Sequence, residues 1–174
     1  MAEMTDWERL TKMYEENLKT KREAEAKTEQ ERASAATAHE EQVKDWTANT
    51  DELFIWCKET FEHCKLPESG HDIGVSCEKS SCGMFPAVSG EVKHVALNIQ
   101  HDGEVTSFFE GPIPLLVAHF SDGKYHVHHN GGHDELASLQ ETKERLAQLV
   151  AGIDNDYLGD LFAKFRTLFG ARRR

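Results

Sequence analysis

Histidine is the residue type in this sequence best placed to do chemistry. Ten occur among 174 residues; His126, His128, His129 and His133 lie close together, with His119 one segment earlier. Asp122-Gly123 stands between His119 and that group. A two-residue type I′ turn there pairs Ser121 with Lys124, Phe120 with Tyr125, His119 with His126, Ala118 with Val127 and Val117 with His128. The same register gathers Leu116, Ala118, Phe120, Tyr125 and Val127 on the opposite face, whereas a three-residue loop would mix Lys124 and His126 with Leu116. His119, His126 and His128 then share one face. Three imidazoles so placed can hold a zinc ion with its fourth position open, and His133, or Cys77 with Cys82, would close the site. The plainer alternative is a polar sheet face on which these histidines are tolerated strand residues. Asp134 and Glu135, the nearest acidic groups that could orient a ligating imidazole, are assigned to the start of a helix.

Other chemistry finds less support. Cys77 and Cys82 are separated by four residues rich in Ser and Lys, not by the two of a zinc knuckle, and Cys57 and Cys64 suit a helix as small core hydrophobes. The sequence has no nucleophile elbow, P-loop or dinucleotide fingerprint, and His39-Glu40-Glu41 lacks the second histidine of a zincin helix. No catalytic residue is assigned, no cofactor is required, and zinc stays as the one metal to consider.

Charge and hydropathy narrow the partners. The net charge of −11 divides into −6 for residues 1–66, with 10 basic and 16 acidic groups, and −5 for the remainder. With no basic patch except the terminal Arg172, Arg173 and Arg174, direct nucleic-acid binding is not expected. The hydrophilic first residues lack a signal-peptide core, and no stretch reaches the roughly eighteen apolar residues of a membrane span. A cytoplasmic location with reduced cysteines is the expectation, with no membrane partner.

The histidines need a scaffold, and the sequence predicts one in two parts: residues 1–66 as a helical arm with coiled-coil potential, and residues 67–174 as an α+β domain. Thr5 and Glu8 have capping-box spacing. Trp7, Leu10, Tyr14 and Leu18 follow at helical intervals, then residues 19–42 contain nothing apolar larger than Ala. That middle owes its helicity to propensity and charge pairs such as Glu23/Lys27. Val43, Trp46, Leu53, Cys57, Phe61 and Cys64 resume the stripe, and Phe54 and Trp56 widen it. The helix runs to Lys65, about 90 Å if continuous, with a break near Asn49 as the alternative and Pro67, Ser69 and Gly70 as its end.

Beyond Gly70 the period changes to two. Strands are predicted at residues 73–78, weakly at 84–88, at 92–100, at 105–109 after an Asp102-Gly103 turn, at 115–120 and at 124–129, and four or five of these form an antiparallel meander. Two amphipathic helices close the chain and pack on one sheet face. The first is capped by Asp134, carries Leu136, Leu139, Leu146, Leu149 and Val150, and ends at Gly152. The second follows Asp154 and carries Tyr157, Leu158, Leu161, Phe162, Phe165, Leu168 and Phe169, with Gly170 as its stop.

The function expected is that of a non-enzymatic interaction or regulatory module, because a helix with apolar stripes at both ends must find partners for them. Trp7, Leu10, Tyr14, Leu18, Val43 and Trp46 are the candidate contact residues. A protein partner is expected, in the first place a second copy of the chain in a homodimer or higher oligomer. A metal-binding protein or metalloenzyme built on His119, His126 and His128 is one alternative. An acidic inhibitor of phage or immunity type, covering a basic surface of its target, is another.

Overall fold

The computed structural model describes residues 5–79, 92–100 and 113–170. The strands expected at 84–88 and 105–109, the Asp102-Gly103 turn, Cys82 and the terminal arginines lie outside them. Helix α1 spans Asp6–Phe61 and strand β1 Asp72–Glu78; β2 is His94–Gln100, β3 Ile113–Ser121, β4 Lys124–His129 and β5 Gly132–Leu136. Helices α2, Leu139–Ala151, and α3, Asn155–Gly170, complete the α+β fold. The strands form one antiparallel sheet in the order β1-β2-β3-β4-β5. By its internal contacts the chain divides into two compact units, Met1–Gln42 and Val43–Arg174.

In the first unit, α1 opens on the predicted capping box. The Thr5 amide donates to the Glu8 carboxylate at 2.7 Å, and the Glu8 amide donates to Thr5 Oγ1 at 3.3 Å. Beyond it, the helix is supported by exposed charge pairs including Lys19–Glu23, Lys21–Glu25 and Lys27–Glu31, at 3.9–4.0 Å. These run Lys-to-Glu along the chain, the weaker orientation, because it opposes the helix dipole.

In the second unit, the remaining turns of α1 become part of a core. Thr50, Leu53, Cys57 and Phe61 are buried, and Trp46, Phe54 and Trp56 pack against the same cluster. No break occurs at Asn49, whose side-chain amide donates back to the Asp45 carbonyl at 2.9 Å. Thr50 Oγ1 accepts from the Phe120 amide at 3.1 Å, and Tyr125 donates to Asn49 Oδ1 at 3.3 Å, so the helix is hydrogen-bonded to β3 and β4. It stops at Phe61, four residues before the predicted end. His63 adopts a left-handed φ of 63°, and residues 63–66 then bond to 71–73 instead of extending the helix.

The sheet face that carries Ile73, Val95, Leu97, Ala118, Phe120, Tyr125 and Val127 is buried against Leu53 and Cys57 of α1, Leu146 and Val150 of α2, and Leu158, Leu161 and Phe165 of α3. Burying a Leu, Ile or Phe fully is worth about 1.5–3 kcal/mol, so this cluster outweighs every surface pair in the molecule. Pro114, which has no amide to donate, sits inside β3 where the register with β2 shifts between Leu97 and Asn98. The Asp122-Gly123 turn has φ values of 52° and 76°, left-handed at both positions as type I′ demands. It produces the predicted register between β3 and β4, residue for residue.

One element was misread from sequence. Residues 132–136 form β5, paired with β4, so Asp134 does not cap a helix. The α2 cap is Ser138, whose Oγ accepts from the Glu141 amide at 3.2 Å, while the Glu141 carboxylate reaches back to the Ala137 amide at 3.0 Å. The side chain of Leu136 therefore belongs to the sheet, and Leu139 is the first residue of the helix.

Candidate functional site

The type I′ turn sets His119 opposite His126 and Val117 opposite His128. The next turn, Asn130-Gly131, sets His128 opposite His133 and His126 opposite Glu135. Four imidazoles consequently share one face on three adjacent strands. His119 stacks on His126 at 4.9 Å between ring centroids and on His128 at 5.5 Å; His133 stacks on His126 at 5.2 Å and on His128 at 4.5 Å. The rings are within 16° of parallel in every pair. The hairpin that brings His133 here is fastened to α3. Asn130 donates from Nδ2 to Asp160 Oδ2 at 2.9 Å and accepts from Lys164 Nζ at 2.7 Å, and its amide donates to the Tyr157 hydroxyl.

Burial pushes the imidazolium form of His119 down to a pKa of about 3, and the neighbouring imidazoles add to the effect. Burial likewise lowers His128, to about 4, and lowers His94 on β2. These rings are neutral at neutral pH, and the Nδ1 atoms of His94 and His119 are buried with no hydrogen-bond partner among the described residues. At the outer edge, His126 Nδ1 lies 3.0 Å from His133 Nε2, and His126 Nε2 lies 3.3 Å from the Ser121 carbonyl. Lys124 donates to Glu135 Oε2 at 2.7 Å and holds that carboxyl below its usual range.

One donor atom each from His126, His133 and Glu135 lie within 4.8 Å of one another. His119 and His128, expected from sequence beside His126, join the stacked array, while His133 and Glu135 form with His126 the group of donors within that range among the described residues. Asp134 points to the other face, where its carboxylate takes Arg145 at 2.7 Å and His129 at 3.2 Å. Asn130-Gly131, a strong hairpin dipeptide, was the signal that could have placed His133 and Glu135 correctly. The thiols of Cys57, raised to about 12, and Cys77, also raised, are kept protonated chiefly by burial, which suits packing and not catalysis.

The candidate contact residues on α1 divide sharply. Trp7, Leu10 and Tyr14 are 77, 60 and 68% exposed, Met13 beside them is 60% exposed, and Leu18 is half-exposed. Val43 and Trp46 are half-buried, and Trp46 packs against the core of the second unit. The chain matches no family model, no curated protein and no solved structure. No described helix is long and apolar enough to cross a membrane.

Proposed function

We propose that this chain is a non-enzymatic interaction module that self-associates through the N-terminal turns of α1. One observation carries the proposal: Trp7, Leu10, Met13 and Tyr14 leave large apolar surface in water along a helix. Farther along the same helix Leu53, Cys57 and Phe61 of the second stripe are buried, whereas Cys64 lies beyond the helix end and is exposed. Isolated exposed hydrophobics are ordinary, but contiguous aromatic and aliphatic groups at helical spacing mark an association surface.

The composition of the following turns favours a second copy as the partner. Residues 19–42 hold five basic and six acidic side chains, so two such helices side by side meet little net repulsion and can exchange ion pairs. Light scattering on the full chain and on a chain lacking residues 1–42 tests the proposal. The full chain is expected to have at least twice the monomer mass of 19.7 kDa, and the shortened chain its own monomer mass. A monomeric full chain would overturn it.

A further inference from the structure

We propose that His126, His133 and Glu135 form a binding site for one divalent first-row transition-metal ion, with zinc as the reference ion. Two imidazoles and a carboxylate are a donor set that such ions accept, leaving one or more positions for water or a further ligand. The three ligand atoms already lie within 4.8 Å of one another on one sheet face.

The spacing of the two nitrogens is the strongest point. A tetrahedral ion with metal–nitrogen bonds of about 2.0–2.1 Å holds two nitrogens roughly 3.3–3.4 Å apart. His126 Nδ1 and His133 Nε2 are 3.0 Å apart. Seating an ion thus requires the rings to part by only a few tenths of an ångström, a movement open to His133, whose side chain is exposed.

The orientation of His126 is supplied from behind. Its Nε2 faces the Ser121 carbonyl at 3.3 Å, and a neutral ring that donates there turns the lone pair of Nδ1 toward His133. A backbone carbonyl in this position is a usual support for a ligating imidazole, since it fixes both tautomer and ring plane. Glu135 carries a second oxygen besides the one that Lys124 holds, so an ion can be ligated by this carboxylate with that ion pair kept or exchanged. Stacking on His119 and His128 limits the rotation of both ligating rings.

The plain competitor is a single proton shared between His126 and His133, and metal titration separates the two. Full-length protein made without a histidine tag and stripped with chelator is titrated with zinc ion alone in a calorimeter. The parent and His133→Gln, Glu135→Gln and His39→Gln variants are compared, folding of each being checked by circular dichroism. The expected result is one zinc per chain with Kd below about 10 μM, weakened about tenfold or more by His133→Gln and by Glu135→Gln and unchanged by His39→Gln, which lies on the exposed surface of α1. Both variants alter exposed side chains, so loss of folding is not expected to obscure the result. Absence of one-to-one binding in the parent overturns the site, as does binding that survives both variants. The outcome is independent of self-association through residues 7–14.

Discussion

Helix α1 contains two regions of similar secondary structure held by different physics. Through residues 6–42 it relies on a capping box, backbone propensity and exposed charge pairs, and its largest side chains stand in water. Through residues 43–61 it is held by what it packs on: Leu53 and Cys57 are completely buried, and Lys143 of α2 lies 5.7 Å above the Trp56 ring. The same 3.6-residue periodicity reads as an interaction surface in the first region and as core in the second. The difference lies in whether a partner is supplied by the chain itself. Apolar periodicity therefore locates a face, and only packing says whose face it meets.

The comparison breaks most visibly under core truncation. Phe165→Ala and Leu53→Ala should each cost about 2–5 kcal/mol in urea unfolding, because each leaves a cavity among buried neighbours. Leu10→Ala, the same chemical change as Leu53→Ala on the same helix, should leave the unfolding midpoint of the monomer unaltered. Equal losses at Leu10 and Leu53 would remove the distinction between the two regions.

A smaller effect is expected at the joint between α1 and the sheet. Thr50→Val keeps the side-chain shape but deprives the buried Phe120 amide of its acceptor, so the loss should be about 1–3 kcal/mol. Thr37→Val, whose hydroxyl donates only to its own helix at Ala33, should cost much less. Urea midpoints for the two variants measure the contrast directly.

Acid sensitivity sharpens the contrast further. His119 and His128 take protons in the folded chain only near pH 3 and 4, whereas unfolded imidazoles do so below about 6.5. Between those limits the unfolded state binds more protons, so stability falls as pH drops from about 6.5 toward 4. Replacing both residues with Gln should flatten the melting temperature across that window. An unchanged slope would show that other groups govern the acid response.

Much of this organisation was legible in the sequence, for identifiable reasons. The β3/β4 register followed from Asp122-Gly123, because only a two-residue closure sorts Phe120, Tyr125 and Val127 from the histidines. The α1 start followed from Thr5 and Glu8. Strand β5 was not legible from propensity: Gly-His-Asp-Glu-Leu contains no β-branched residue and no Phe, Tyr or Trp, and its pairing with β4 overrides local preference. Reading Asp134 as a cap displaced the better capping box at Ser138 and Glu141, and with it the pairing that puts His133 and Glu135 beside His126. The stripe at residues 43–61 was visible, but the sheet that buries it is distant in sequence, so its partner was not.

The smallest expected effect belongs to the first unit. Deleting residues 1–42 should leave the thermal midpoint of the remainder unchanged at concentrations where the parent is dissociated, since the buried cluster draws on none of them. A lowered midpoint would mean that these residues stabilise the second unit.

The central claim is that the exposed turns of α1 associate with a second copy, and sedimentation equilibrium tests it most directly. The parent is compared with the triple variant Trp7→Ala, Leu10→Ala and Tyr14→Ala, with helicity monitored by circular dichroism. Alanine preserves helix propensity while removing the apolar surface. The account predicts a dimer or larger assembly for the parent at about 20–50 μM and a monomer for the triple variant, with equal helicity per chain in the second unit. A parent that sediments as a 19.7 kDa monomer, or an assembly that the three substitutions leave intact, would contradict it.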